Sequence, residues 1–330
     1  MINVLIPNIG RRGYLVDYMK DIPCFEGKVF VSDCDRTASG LYGNNDGFFI
    51  LSKPAADEKK YISELLEVCN KHEIKLIIPV IDPEIYILSN YKKAFEEYGI
   101  TVLVSDRVVL DICYNKLNMN EFLMERGYLV PLTYTDIESF KADLEAKKIN
   151  FPIICKPVYG SGSENTKMID NMELLKAYFH KGLMIQQYLD NFEEYGIDLF
   201  NTFEGMPVRC VIKRKISMRS GETDKSYTVK DEKLSLFMVR LASELKHIGN
   251  LDCDVLADGE KYYIIDLNPR FGGGYPATHA SGTNLLELIL RMINQEKIVP
   301  AFNSYKERVL VMKTISVVQT IWEDKNEIMY

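Results

Sequence analysis

The sequence predicts an α/β fold in its first third and an α+β fold beyond it. Three observations carry this. Strand-like and helix-like runs alternate through about residue 105, which implies parallel pairing beneath helical layers. From Phe151 onward strand-like runs follow one another closely, interrupted by one long helix. And 330 residues is long for a single core, so two or three domains are expected.

In chain order, residues 3–7 read as a buried strand, 10–13 (Gly-Arg-Arg-Gly) as a tight turn and Tyr14–Lys20 as a helix. Residues 28–32 form a second strand. A helix over 58–72 follows from the apolar spacing of Ile62, Leu65, Leu66 and Cys69. Residues 76–80 are another buried strand, 86–98 a helix and 101–104 a short strand. One helix carrying Lys116 is predicted over 111–126, stopped by Gly127. Residues 133–147 hold a turn and a helix. Strands are expected at 152–156, 167–170, 183–188, 196–203 and 208–216, with 220–228 as a mobile stretch. A helix over 234–246 precedes a hairpin of 254–256 with 262–267 across Asp258-Gly259, and 284–294 is the last strong helix. No internal repeat or low-complexity segment interrupts this order.

Hydrophobic residues make up 47% and charged residues 26%, ordinary for a soluble globular chain. The net charge of −7 argues against a nucleic-acid binder, whose footprint would be basic. Residues 1–7 are too short and too quickly polar for a signal peptide, and no apolar run approaches the roughly 18 residues of a membrane span. The expectation is a cytoplasmic protein with neither nucleic acid nor membrane as partner. Seven cysteines (24, 34, 69, 113, 155, 210, 253) are scattered, odd in number and form no C-x-x-C pair, which fits reduced, mostly buried thiols.

Lys156 lies in Phe151-Pro152-Ile153-Ile154-Cys155-Lys156-Pro157, and Tyr159-Gly160-Ser161-Gly162-Ser163 follows at once. A glycine-serine loop after a strand can lay its N–H groups along phosphate oxygens, because glycine lacks the Cβ that blocks close approach. Lys156 would add positive charge. The alternative is an ordinary hairpin turn, and no G-K-[ST] makes this a Walker A loop. About a hundred residues later comes Ile264-Ile265-Asp266-Leu267-Asn268-Pro269-Arg270-Phe271-Gly272-Gly273-Gly274. Residues i and i+2 of a strand share a face, so Asp266 and Asn268 point at one spot that Asp254 reaches from the neighbouring strand. Oxygen donors without imidazole or thiolate suit Mg²⁺, which also takes phosphate oxygens; the bland reading is a solvated strand face. Arg270 shares that face and can clamp a phosphoryl group or an oxyanion. The order of the two blocks points to ATP-driven chemistry on a carboxylate. The strand over 211–219 carries Lys213, Arg214, Lys215 and Arg219, and faces either phosphate or carboxylate, or solvent at a sheet edge. His72, His180 and His247 read as structural or surface residues, whereas His279, after the glycine run, reads as lining an acceptor pocket.

On these residues the chain resembles the ATP-grasp superfamily, and within it the carbamoyl-phosphate-synthase-like amino-acid ligases, over nearly its whole length. The resemblance implies a Rossmann-like preATP-grasp domain at 1–105, a small ATP-grasp lobe at 106–185, and a large lobe at 186–330 with the metal and acceptor sites, the two α+β lobes clamping ATP. It makes Lys116 and Lys156 the basic residues on the phosphates, with Asn115 where the family usually has Asp. Residues 159–165 become the lid over the phosphates, with Gly160, Ser161, Gly162 and Ser163 in it. Gln186, Gln187, Tyr188 and Leu189 become the hinge whose backbone reads adenine, Gln187 standing in for a frequent Glu, and Glu194 becomes the ribose ligand. Asp254, Asp266 and Asn268 become the metal ligands, Asp266 replacing the usual Glu. The catalytic set is Arg270, Lys156 and Arg214. The 10–13 turn keeps a dinucleotide-loop shape without binding NAD.

The activity so implied is an ATP-dependent carboxylate–amine ligase that forms an amide through an acyl phosphate and releases ADP and phosphate. Its cofactors would be ATP and Mg²⁺, with Mn²⁺ as an alternative ion. Its substrates would be a small carboxylate and an amine, an amino acid among them, held by Arg214, Arg219, the 272–275 loop and the mobile 220–228 stretch. Relatives suggest a homodimer. An ATP-grasp kinase, a carboxyphosphate-forming enzyme like carbamoyl-phosphate synthase, and a non-catalytic nucleotide-binding subunit stand as alternatives.

Overall fold

The structure, a computed structural model, describes residues 1–23, 25–160 and 165–321. The N-terminal part alternates β1 (Asn3–Ile6), α1 (Tyr14–Lys20), β2 (Val29–Asp33), β3 (Phe48–Ile50), α2 (Glu58–Lys71), β4 (Ile74–Ile77), α3 (Asp82–Glu97) and β5 (Thr101–Val102). Its sheet is parallel throughout, in the order β3-β2-β1-β4-β5. Helices cover both faces, which is why Val4-Leu5-Ile6 and Val29-Phe30-Val31 are apolar without alternation. Helix α3 starts at Asp82 rather than at residue 86, because Pro83 fits the first helical turn, where its missing N–H costs nothing.

The expected single helix over 111–126 is two helices, α4 (Arg107–Tyr114) and α5 (Lys116–Glu125). Asn115 breaks them: its backbone is extended (φ −105°, ψ 110°) and its side chain caps α5 by accepting from Leu117 N and Asn118 N. Then come β6 (Thr133–Tyr134), α6 (Ile137–Glu145), β7 (Ile153–Pro157), β8 (Lys167–Ile169), α7 (Met172–Tyr178) and β9 (Leu183–Gln187), with an antiparallel sheet ordered β6-β9-β7-β8.

The remaining elements are β10 (Glu193–Asn201), β11 (Pro207–Arg219), β12 (Glu222–Val229), α8 (Glu232–Leu245), β13 (Gly249–Ala257), β14 (Tyr262–Asn268), α9 (Tyr275–Ala280), α10 (Leu285–Ile293) and β15 (Leu310–Met312). Their antiparallel sheet runs β14-β13-β10-β11-β12-β15. The stretch expected to be mobile, 220–228, is largely strand β12, paired along β11. Helix α8 packs Leu234, Met238, Leu241 and Leu245 on one face of this sheet, with Ile212, Cys253, Val255, Ile264 and Leu267. The smaller sheet has its own core of Phe140, Ile153, Cys155, Ile169 and Ile185. The described cysteines are free thiols, with Cys34 exposed and the others buried. Among the described residues no helix is long and apolar enough to cross a membrane.

Candidate active site

A cleft of about 1230 Å³ is lined by residues of both antiparallel sheets, with α5 and the 10–13 turn reaching into it. Its acidic floor comes from strand geometry. Asp254 on β13 pairs with Asp266 on β14, and Asp252 pairs with Asn268. Between these pairs and the next, Val255 with Ile264, Ile265 is an extra residue. This bulge lets Ile264 and Leu267 both enter the α8 core while Asp266 and Asn268 face the cleft. Asp254, Asp266 and Asn268 therefore come together as expected from their spacing.

Lysines meet this floor. Lys116, the first residue of α5, places Nζ 3.0 Å from Asp266 Oδ1 and 2.7 Å from the Gly160 carbonyl. Lys156 on β7 lines the same cleft, and burial pulls its ammonium down to about 8 while Asp266 acts in the opposite sense. Burial alone would raise the Asp266 carboxyl, but Lys116 and Lys156 outweigh it and hold it below the ordinary carboxylate range. Gly160 lies at the cleft with φ +113°, a conformation suited to glycine. Ser161, Gly162 and Ser163 lie outside the described residues.

Gln187, Tyr188, Leu189 and Glu194 line one cleft with these groups. Gln187 is tied down on both sides of its residue: its backbone N–H donates to the Leu132 carbonyl (2.8 Å) and its Oε1 accepts from Leu132 N (3.3 Å). Glu194 Oε1 accepts from Lys215 Nζ at 2.9 Å, and Lys215 also sits 2.6 Å from Asp254 Oδ1. Burial would lower the Lys215 ammonium, yet Asp254 and Glu194 raise it above the lysine range.

Arg214 is a correction. Side chains alternate along β11, so Lys213 and Lys215 turn to the cleft side while Arg214 turns with Ile212 toward the other face. There it pairs with Glu193 at 2.5 Å and with the Tyr227 hydroxyl, away from the cleft. Arg219 likewise points away, to Asp224 at 3.1 Å. His279 does not line the cleft but stacks on Tyr18, ring centroids 3.7 Å apart.

Arg270 faces the floor from just beyond β14. Its Nε and Nη2 reach the two oxygens of Asp82 at 3.1 and 3.3 Å, and its Nη1 lies 3.5 Å from Asp252. Burial would lower the guanidinium, but Asp82 and Asp252 more than offset it, so it stays charged. Asp252 is itself pushed up to about 6, by burial first and then by Asp254 and Asp198. Reading the sequence missed Asp82, Asp252 and Arg12, and named Lys215 only as one of four cations on its strand. Asp252-Cys253-Asp254 carried the same i, i+2 signal as Asp266 and Asn268; Asp82 and Arg12 carried none, since only the tertiary fold brings them here.

Comparison with known proteins places two family models on the chain: "PylC-like, N-terminal domain" over residues 4–103 and "ATP-grasp domain" over 113–274. Among curated proteins, the carbamoyl phosphate synthase large chain of Pseudothermotoga lettingae is 24% identical over 224 residues, 62% of this chain and 20% of the relative. That of Pseudomonas putida is 21% identical over 308 residues, 85% of this chain and 28% of the relative. The chain thus spans between a fifth and three tenths of these relatives. Among solved structures, the biotin carboxylase of Campylobacter jejuni in a β-γ-ATP complex matches with TM-score 0.70 and 17% identity, covering 92% of this chain and 73% of that one. The N5-carboxyaminoimidazole synthetase of Staphylococcus aureus complexed with ADP matches with TM-score 0.70 and 15% identity, covering 94% and 80%. At such identities the likeness is one of fold.

Proposed function

We propose that this chain, which belongs to the ATP-grasp family, is an ATP-dependent carboxylate–amine ligase. One observation carries the reading: Lys116, Lys156 and Arg270 line the same cleft as Asp254, Asp266 and Asn268, a set built from both sheets and the α4–α5 break. Such a mixture of cations and hard oxygen donors suits a nucleotide triphosphate with its divalent ion. Among the described residues no three His, Cys, Asp or Glu side chains converge to hold an ion by themselves. Asp254, Asp266 and Asn268 would hold Mg²⁺ or Mn²⁺ jointly with phosphate oxygens, and their all-oxygen donor set fits that ion. When bound, the ion supplies neutralisation of phosphate charge.

The protein's own groups do the rest. Gln187, Tyr188 and Leu189 would seat adenine, Glu194 the ribose, and the segment from Gly160 would cover the phosphates. A substrate carboxylate oxygen attacks the γ-phosphorus and the bond to ADP breaks, leaving an acyl phosphate. The amine then attacks the acyl carbon and phosphate departs. Lys116 and Lys156 offset charge on the transferring group, and Arg270, aimed by Asp82, donates to the oxygens that gain charge. Closure over the phosphates keeps water from the acyl phosphate. The purified chain with Mg·ATP should turn over ATP repeatedly only with a carboxylate and an amine together, giving a product one water lighter than their sum. Asp266→Ala and Arg270→Ala should fold yet lose about a hundredfold or more of this turnover. Normal turnover in both variants refutes the site, and a phosphorylated single substrate makes the protein a kinase.

A further inference from the structure

Where the β11–β12 turn meets the N-terminal domain, the cleft is lined by an ion pair that the nucleotide chemistry does not use. Arg12, in the 10–13 turn, places Nη2 3.0 Å from Glu222 Oε1. Both side chains line the cleft that holds Asp254 and Arg270, and they are 16% and 27% exposed, so a small molecule can reach them. Glu222 also packs against the glycine run after Arg270: a Cβ on Gly273 would come within 2.8 Å of Glu222 Cβ.

The charges here do not balance. Glu222 faces Arg12, Lys313 (3.2 Å) and the field of Arg11. The pair is also incompletely bonded. Arg12 Nε is buried and has no hydrogen-bond partner among the described residues, and neither has the buried Tyr14 hydroxyl nearby. A buried donor without an acceptor is costly, and among the described residues none supplies the missing acceptor here. An anion alone would satisfy Arg12 but displace Glu222 from it. A cation alone would add to the excess. A molecule carrying both charges on one carbon can insert into the pair and leave Arg12 and Glu222 each facing an opposite charge.

We propose that Arg12 and Glu222 bind the zwitterionic head of an α-amino acid, its carboxylate on Arg12 and its ammonium on Glu222, so that the N-terminal domain supplies a specificity residue for the ligation. The proposal rests on the ligase reading for its meaning but is testable by binding alone. Each of the twenty proteinogenic L-amino acids is added to the full chain with Mg·ADP present, and the melting temperature is read. At least one amino acid should raise it, while the matching amine without a carboxylate and the matching acid without an amine should not. The exchanged pair, Arg12→Glu with Glu222→Arg, keeps a bridge but reverses its polarity, and Glu222→Gln removes one charge at constant shape. Both should keep the shift caused by Mg·ADP and lose the amino-acid shift. Silence across the panel, or an undiminished amino-acid shift in the exchanged pair and in Glu222→Gln, overturns the proposal. Loss of the Mg·ADP shift from the wild-type chain would instead overturn the nucleotide reading on which the ligase rests.

Discussion

At the scale of single residues, the site turns on which way β11 points its cations. Lys215 is nearly enclosed between Glu194 and Asp254, whereas Arg214 makes a pair that is about two-fifths exposed on each side. Removing Lys215 leaves two carboxylates near each other without their cation, and breaking such a pair costs about 2–5 kcal/mol in binding systems. Lys215→Ala is therefore expected to raise the KM for ATP at least about tenfold. An exposed pair is worth less than about 1 kcal/mol, so Arg214→Ala should leave kcat/KM within about fivefold. Steady-state kinetics on the two variants decides; equal losses would return Arg214 to the site. The contrast also marks what was legible. Lys156, Asp266, Asn268 and Arg270 stand in local runs that pointed to them, whereas Lys116 was named through the family resemblance alone. The parity of β11 was not legible, because Lys213, Arg214 and Lys215 are consecutive cations after the apolar pair Val211 and Ile212, so neither face of the strand is marked as buried.

Elements tell a similar story with a different cause. The parallel strands of the N-terminal part read clearly, being continuous apolar runs, whereas the β12 strand, Glu222–Val229, is polar enough to pass for a loop and is held by its partner β11. The break between α4 and α5 was hidden because the apolar spacing continues across it. Asn115 decides it by accepting from Leu117 N (2.9 Å) and Asn118 N (3.3 Å), and its extended backbone brings Lys116 N–H to the Val158 carbonyl at 3.0 Å. That bond aligns the first residue of α5 with the strand that carries Lys156. Asn115→Ala should cost about 0.5–2 kcal/mol by urea unfolding, the usual loss for a cap, and also raise the KM for ATP. Asn115→Asp keeps an acceptor and should restore both. A variant with lost stability and an unchanged KM would show that the cap supports the helix without positioning Lys116.

For the whole molecule, the decisive fact is how the cores divide. The smaller sheet keeps its own core, while Val4, Ile6, Leu15 and Met19 of the N-terminal part share one with Phe271, Tyr275, Leu286 and Ile289. The N-terminal part and the larger sheet therefore share one core, and the smaller sheet is packed around a separate one. The seam between the first two carries a titratable group. Beside His247, Ile248 N–H donates to Ser105 Oγ at 2.9 Å, and a Cβ on Gly249 would meet Leu103 at 3.3 Å. Burial pushes the His247 imidazole from 6.5 down to about 3. The unfolded chain takes up this proton near pH 6.5 and the folded chain does not until about pH 3. Between those values the unfolded state binds more protons, so stability rises with pH: it is full above about 6.5 and is lost as pH falls toward 3, by up to about 1.4 kcal/mol per pH unit. His247→Gln removes the proton uptake whatever its own effect on stability. Its unfolding free energy should therefore fall less steeply than the wild type's between pH 6 and about 4.5, by nearly one proton in slope. Parallel curves for the two proteins would show that the imidazole at the seam is solvated and that acid acts on the protein elsewhere.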